Sequence, residues 1–222
     1  MKRERGEVLV DTRPAAYVHG WPEPGHRRGG HLPGARHFDA SWADQRSDRG
    51  LSALLNERAL SARSPLTLYG AKAPLLASRL KGLGWSKVRC DPDAITRALA
   101  LGHPLVALPH YERLVHPGWL AKALMHEGTG SALSEAPLIL EAAWCAERAF
   151  ELGHIPSALY FGTEWIEDAP LWTRVSDARL RALCAKLGIH SKRCVVVYSA
   201  NTLAAARVVH VLRYVGVEDV RL

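Results

Sequence analysis

Gly30-His-Leu-Pro-Gly-Ala35 and Gly153-His-Ile-Pro-Ser-Ala158 are two copies of one short motif. The second copy lies 123 positions after the first, counted from His31 to His154, in a chain of 222 residues. Self-similarity at a long fixed spacing is the sequence signature of a duplicated structural unit. The two motifs therefore predict that the chain contains two versions of the same fold.

The segments around each motif also match. An apolar run that ends in an acidic residue precedes the motif, at residues 7–11 in the first copy and 138–141 in the second. A second apolar run follows it and ends in tyrosine, at Leu66–Tyr69 in the first copy and Cys194–Tyr198 in the second. Continuous runs of β-branched and other apolar residues are typical of strands that are covered on both faces. Each copy is therefore expected to place buried strands on both sides of the motif.

Helical patterns lie between these strands and after them. Asp177–Gly188 follows Ser176, a favourable N-cap, and ends at a glycine. Ala204–Tyr214 carries apolar residues at helical spacing, with Arg207 and Arg213 on the opposite side. Strands that alternate with helices predict an α/β fold in which a mainly parallel sheet has helices on both faces, the doubly wound arrangement.

The repeat also predicts the domain organisation. We expect one domain at residues 1–101 and a second at residues 117–222. The joint between the copies falls around residues 102–135, where prolines such as that of His116-Pro117 interrupt the pattern and residues 127–131 are expected to form an exposed loop.

Composition limits the class of protein. Hydrophobic residues make up 48% of the chain and charged residues 23%, which is typical of a globular protein and excludes wholesale disorder. No apolar stretch approaches the roughly 20 residues of a membrane helix, so no membrane partner is expected. The basic start of the chain lacks the long apolar core of a secretory signal. The sequence as it stands predicts a cytoplasmic protein, and a periplasmic one if a signal segment precedes it.

The charge pattern does not favour a nucleic-acid partner. Lys and Arg number 29, and Asp and Glu number 22, which gives a net charge of +7. The basic residues are scattered, and the densest group, Lys2, Arg3 and Arg5, is at the terminus. A solvated basic surface is therefore the favoured interpretation.

Neither the cysteines nor the histidines predict a metal site. No Cys-x-x-Cys pair occurs among the cysteines, which are Cys90, Cys145, Cys184 and Cys194. Four histidines fall within a short stretch, namely His19, His26, His31 and His37. None of these four is separated from another by the three or four positions that bring two metal ligands together on a helix. We predict no metal and no cofactor.

The motifs resemble those of the rhodanese (thiosulfate sulfurtransferase) family. Asp11-Thr-Arg13, followed by Tyr17 and the first Gly-His-Leu-Pro motif, is similar to the opening of a rhodanese domain. Glu141–Trp144, followed by Phe150, resembles the opening of the non-catalytic N-terminal domain of two-domain sulfurtransferases. The chain is most similar to the first two, non-catalytic domains of a three-domain bacterial thiosulfate sulfurtransferase, through stretches that include Gly20-Trp-Pro22, Ala40-Ser-Trp42, Leu108–Val115 and Pro170–Asp177.

The resemblance implies two tandem rhodanese-like domains and a defined position for the catalytic residue. In the family, a cysteine directly follows the aromatic residue that ends the central strand, and the turn after it surrounds the sulfur with backbone N–H groups. That position is held by Gly70 in the first copy and Ser199 in the second. Glycine has no side chain and serine cannot form a persulfide, so no catalytic residue is predicted. The second turn is interpreted as a vestigial anion loop, formed by Ser199, Ala200, Asn201, Thr202, Leu203 and Ala204.

The resemblance leaves three functional hypotheses open. The leading one is a rhodanese-family protein in which both domains lack the catalytic cysteine, either a pseudo-enzyme or the non-catalytic N-terminal part of a sulfurtransferase. In the second case its partner is a further catalytic rhodanese domain in a longer chain. The alternative is an interaction module that binds a partner or a small sulfur oxyanion. The third is an active enzyme that uses Cys145, which follows the strand of Glu141.

The ends of the chain lead to one further expectation. Leu222 closes the last expected strand, and Met1 stands only a few residues before the first. Unpaired strand edges and uncovered apolar faces recruit other chains. We therefore expect self-association and a lower stability than that of an intact two-domain rhodanese.

Overall fold

The structure, a computed structural model, describes residues 6–125 and 135–222. The chain divides into two compact units, Met1–Tyr111 and Glu112–Leu222, called unit 1 and unit 2 below. The loop predicted at residues 127–131 lies outside the described residues. Within the described part of the chain, no helix is both long enough and apolar enough to cross a membrane.

Unit 1 alternates strands with helices around one sheet. Its elements in chain order are β1 (Val8–Asp11), α1 (Ala15–His19), β2 (Arg36–His37), α2 (Ser41–Asp44), α3 (Asp48–Glu57), β3 (Leu66–Tyr69), α4 (Ala73–Gly82), β4 (Val88–Asp91) and α5 (Ala94–Ala100). The strands lie in the order β2-β1-β3-β4 and every pair is parallel. Strands β1 and β3 are therefore central, and Asp11 pairs with Tyr69 where both strands end.

Helices cover both faces of this sheet. Successive strand residues point to opposite faces, so a strand that is buried throughout needs a cover on each side. On one face, Val10 and Leu68 pack with buried residues of α3 and α4. On the other face, Leu9 and Tyr69 pack with Ile95 of α5.

Unit 2 contains a second four-stranded sheet. Its elements are α6 (Pro117–Leu124), β5 (Leu138–Ala143), α7 (Glu147–Leu152), β6 (Leu159–Gly162), β7 (Glu167–Asp168), β8 (Thr173–Arg174), α8 (Asp177–Lys186), β9 (Val195–Tyr198), α9 (Thr202–Tyr214) and β10 (Val220–Arg221), with short 3-10 helices at Tyr111–Arg113 and Thr163–Trp165. The sheet order is β10-β9-β5-β6, again parallel throughout. Strands β7 and β8 form a separate antiparallel pair. The prediction of an α/β fold with mainly parallel sheets is confirmed.

The buried residues of unit 2 come from the strands and helices that their apolar pattern predicts. Leu140 of β5 and Val197 of β9 pack with Leu180 of α8 and with Val208 of α9. Helix α8 starts as expected, because the Ser176 hydroxyl accepts a hydrogen bond from the backbone N–H three residues later.

Helix α6 differs from the sequence-based prediction. His116-Pro117 was interpreted as an interruption of the chain, but it begins a helix. Proline is tolerated at the first helical position because its missing N–H would have no partner there. His116 acts as the N-cap, since its Nδ1 accepts the N–H of Trp119 at 3.3 Å.

Candidate functional site

The hydroxyl of Tyr69 joins three parts of unit 1 at the edge where β1 and β3 end. It accepts a hydrogen bond from the backbone N–H of Leu32 at 3.1 Å and is hydrogen-bonded to the Asp11 carboxylate. Leu32 belongs to the first Gly-His-Leu-Pro motif. Burial, followed by the negative charge of Asp11, raises the pKa of the Tyr69 hydroxyl, which therefore remains protonated. The tyrosine that ends the central strand thus holds the motif against the sheet.

Tyr198 makes the same connections in unit 2. Its hydroxyl donates a hydrogen bond to the Glu141 carboxylate and accepts one from the backbone N–H of Ile155 at 3.0 Å. Glu141 and Tyr198 are paired in the sheet register, and Ile155 lies in the second motif. Burial and the hydrogen bond to Glu141 raise the pKa of Tyr198 to about 12. We call each set of three residues, Tyr69–Asp11–Leu32 and Tyr198–Glu141–Ile155, a tyrosine clamp.

A buried arginine distinguishes the clamp of unit 1. Arg13 is 4% exposed and donates to the Asp11 carboxylate from Nε at 3.0 Å and from Nη2 at 2.7 Å. Nη2 also donates to the Gly30 carbonyl at 2.7 Å, and Nη1 lies 3.4 Å from Glu23 Oε2. In unit 2 the residue two positions after the clamp acid is Ala143. The positive charge at this place therefore belongs to unit 1 alone.

The residue after Tyr69 has no room for a side chain. Gly70 has a φ of 105°, a conformation that favours glycine. A Cβ atom at Gly70 would lie 2.7 Å from Cγ of Arg13 and 3.2 Å from Oγ1 of Thr12. Neither neighbour moves easily, because Arg13 is tied to Asp11 and the Thr12 hydroxyl donates to the Tyr69 carbonyl at 2.8 Å. A larger residue at position 70 would therefore have to displace Arg13 or Thr12.

In the turn after Tyr198, backbone N–H groups donate hydrogen bonds to side chains of the same turn. The Ser199 hydroxyl oxygen accepts the N–H of Asn201 at 2.9 Å, and Asn201 Oδ1 accepts the N–H of Leu203 at 3.0 Å as the N-cap of α9. Such N–H groups at a helix start are those that would otherwise hold an anion. No charged side chain is contributed by the other positions of the predicted loop, which are Ala200, Thr202 and Ala204.

The four cysteines lie at separate places in the two sheets and helices. Cys90 is exposed on β4, and Cys145 is exposed just after β5 with a φ of 43°. Cys184 lies in α8, where burial raises its pKa. Cys194 is buried before β9, and its pKa is raised to about 12 by burial and by Asp219. The thiols of Cys184 and Cys194 are therefore protonated at neutral pH, as expected for structural cysteines.

Two of the clustered histidines hydrogen-bond to backbone carbonyls of unit 1. His37 Nε2 donates to the carbonyl of Arg13 at 2.9 Å, and His31 Nδ1 donates to that of Leu32 at 3.0 Å. Burial, followed by the neighbouring His37 and His31, lowers the pKa of His19. Across residues 6–125 and 135–222, no group of three His, Cys, Asp or Glu side chains could hold a metal ion.

The sequence and the fold are similar to those of a known class of proteins. The chain belongs to the rhodanese family. It is 35% identical over 224 residues to the thiosulfate sulfurtransferase YnjE of Escherichia coli (strain K12), a match that covers 100% of this chain and 50% of that protein. The crystal structure of YnjE matches with a TM-score of 0.85 over 98% of this chain and 52% of that one. No family model matches the sequence.

Two further solved structures are similar to this chain. Wild-type EanB is 25% identical and has a TM-score of 0.88, over 97% of this chain and 54% of that one. An anaerobic ergothioneine biosynthesis enzyme from Chlorobium limicola, in complex with trimethyl histidine, shares the fold at 24% identity, with a TM-score of 0.89 over 98% of this chain and 55% of that one. The chain spans about half the length of the relatives that it matches.

The raised pKa of Tyr198 predicts a loss of stability in strong base. In the unfolded chain a tyrosine loses its proton near pH 10, whereas in the folded chain Tyr198 loses it near pH 12. The unfolded state is deprotonated first, so the free energy of unfolding should fall as the pH rises from about 10 to about 12. Tyr198→Phe should show a smaller fall over this interval, measured by urea unfolding at several pH values. Equal slopes for Tyr198→Phe and the wild-type protein would contradict the assignment.

Cysteine substitution should distinguish the two turns. In Ser199→Cys the thiolate takes the place of the hydroxyl that accepts the Asn201 N–H at the start of α9, so its pKa should lie modestly below the free value of about 8.5. The rate of alkylation against pH, followed at each cysteine by mass spectrometry, measures this pKa, with Cys184 as the internal reference. A pKa of about 8.5 or above would contradict the prediction.

Gly70→Cys should instead lower the free energy of unfolding of unit 1 by at least about 1 kcal/mol, because the new Cβ atom would collide with Arg13.

Proposed function

We propose that the chain consists of two tandem rhodanese-like domains, both without a catalytic cysteine, that form the non-catalytic part of a sulfurtransferase. We assign these domains to the ranges expected from the sequence, residues 1–101 and 117–222, which lie within unit 1 and unit 2. One observation carries the proposal: the residues directly after the strand-ending tyrosines are Gly70 and Ser199.

The chemistry of sulfur transfer explains why these two residues matter. A thiolate attacks the sulfur donor and carries the sulfur as a persulfide until an acceptor takes it. Gly70 has no side-chain atom, and Ser199 offers an oxygen that cannot take the place of the thiolate sulfur. Burial raises the pKa of the half-buried Cys184 and of the buried Cys194, so both thiols are held protonated and cannot take over this role.

The hydrogen bonds of the Ser199 turn favour an inactive turn over the oxyanion-binding alternative. An anion site at a helix start needs N–H groups that point towards an open space. Two N–H groups of this turn, those of Asn201 and Leu203, are already bound to oxygens of the turn. An incoming sulfur oxyanion would have to displace these oxygens, and no charged residue of the turn would compensate for their loss.

The lengths of the relatives support a role beside another domain. YnjE and EanB are about twice as long as this chain, and they match it over about half of their length. We propose that the partner of these two units is a further rhodanese domain that carries the reactive cysteine. In that arrangement the two units would form a wall of the substrate cleft and orient the catalytic domain, and without such a domain the chain would act as a pseudo-enzyme.

An activity measurement tests the proposal directly. The purified chain should form thiocyanate from thiosulfate and cyanide at the rate of a blank without protein, because no thiol directly follows Tyr69 or Tyr198. The assay needs a thiosulfate sulfurtransferase as positive control and circular dichroism to show that the chain is folded. If the chain shows turnover above the blank, and if Cys145→Ser abolishes that turnover, the chain is instead an active enzyme that uses this exposed thiol.

A further inference from the structure

The segment after α5 is attached to the rest of unit 1 by backbone hydrogen bonds to two histidines. Val106 and His31 exchange two such bonds, each of 2.9 Å, and the N–H of Leu108 donates to the His19 carbonyl at 2.7 Å. We call residues 103–110 the strap. One of its attachment points is the last residue of α1, and the other lies in the first Gly-His-Leu-Pro motif.

The strap covers apolar surface of unit 1. Its Leu105 packs with Leu9 of the central strand β1. A cavity of about 290 Å³ lies next to this contact, with Leu9 and Leu32 in its lining and with His103 and Pro104 of the strap at its border. Movement of the strap away from the motif would therefore open an apolar cavity to solvent.

The two histidines that hold the strap belong to a group of three imidazole rings. The ring centroid of His19 lies 6.4 Å from that of His37, at the end of β2. Burial, followed by the charges of His37 and His31, lowers the pKa of His19. Protonation of these rings would place like charges close together in a partly buried site, where they repel each other strongly.

The carboxylates of the neighbouring segments are bound to other groups. Asp11 is bound to the Arg13 guanidinium, and Glu23 lies 3.4 Å from the same group. Asp39, which follows β2, accepts hydrogen bonds from the backbone N–H and the hydroxyl of Ser41. These carboxylates would have to leave their present partners in order to compensate for positive charge on the three rings.

We propose that the strap is an acid-sensitive gate: when His19, His31 and His37 take up protons, their repulsion breaks the backbone hydrogen bonds of the strap and opens the apolar cavity beside it. Histidine suits this role because it is the side chain whose charge ordinarily changes between pH 5 and 8. The proposal does not depend on whether the chain takes part in sulfur transfer.

The strap should yield before the sheet does. Val106 and Leu108 are each 43% exposed, so their hydrogen bonds lie near solvent, and such bonds open at a lower free energy than those of a core strand. The strap itself carries His103 and His110, which are exposed and add positive charge in acid. Both features favour local release over unfolding of unit 1.

The direction of the pH dependence follows from the lowered pKa of His19. A histidine that is free of its folded surroundings takes up a proton near pH 6.5, whereas His19 in the closed unit does so only at lower pH. The open state therefore binds more protons than the closed state as the pH falls below about 6.5, and acid shifts the equilibrium towards the open state.

Amide hydrogen exchange of the whole chain, followed by NMR, tests the proposal. The protection factors of the Val106 and Leu108 amides, which correct for the intrinsic pH dependence of exchange, should fall at least about tenfold between about pH 7.5 and about pH 5. The amide of Leu68 in the central strand β3 should change less than about threefold over the same interval.

Neutral variants identify the groups that cause this release. His19→Gln and His37→Gln each remove one charge, and glutamine at position 37 keeps an N–H donor for the Arg13 carbonyl. In either variant the fall at Val106 and Leu108 should shrink to less than about threefold. His210→Gln, which changes an exposed histidine on α9 of unit 2, should keep the full wild-type fall.

Three results would overturn the proposal. One is an unchanged protection of Val106 and Leu108 between the two pH values. Another is an equal fall in the wild-type protein and in the glutamine variants, which would exclude the imidazole rings as the cause. The third is a parallel fall at Leu68, which would indicate acid unfolding of the whole unit. If His19→Gln shows no cooperative unfolding transition, His37→Gln decides the outcome by itself.

Discussion

The tyrosine clamp is the interaction on which the architecture of each unit depends. A single hydroxyl connects the end of the central strand, the acid on the neighbouring strand and the backbone of the Gly-His-x-Pro motif. Removing one partner would leave a buried polar group without a hydrogen bond, at a cost of about 1–3 kcal/mol. The clamp therefore fixes where the strand stops and where the following turn begins. The first residue of that turn is the one for which the family resemblance implies a catalytic cysteine.

The two units keep the clamp and close the turn after it in different ways. In unit 1, Arg13 and Thr12 occupy the space that a side chain at Gly70 would need, so the backbone lies against a buried ion pair. In unit 2, the side chains of Ser199 and Asn201 bind the N–H groups of their own turn. In unit 1 the bonds satisfy buried polar groups, whereas in unit 2 they occupy N–H groups of an exposed turn. The hydrogen bonds of both turns are the physical basis of the non-catalytic role that we propose.

Sequence patterns predicted the elements that carry their own local signal. The apolar run Leu66–Tyr69 is observed as a strand with those bounds, and the helix expected from Ala204 begins two residues earlier, at Thr202. Helix α6 was missed because Pro117 is equally compatible with a break and with a first helical residue. Which of the two occurs depends on the cap of His116 and on the burial of the helix, neither of which is visible in a local pattern.

The sequence by itself predicted the alternation of strands and helices with mainly parallel sheets, and the family. Those conclusions follow from periodicity and from motifs a few residues long. Only the tertiary structure decided which groups meet: Tyr198 bonds to Glu141, 57 positions away, and to Ile155, 43 positions away. The same holds for the partners of Arg13, which are Asp11, the Gly30 carbonyl and Glu23. Hydrogen bonds between distant residues are selected by packing, which brings segments together according to their whole buried surface, and no local pattern encodes that selection.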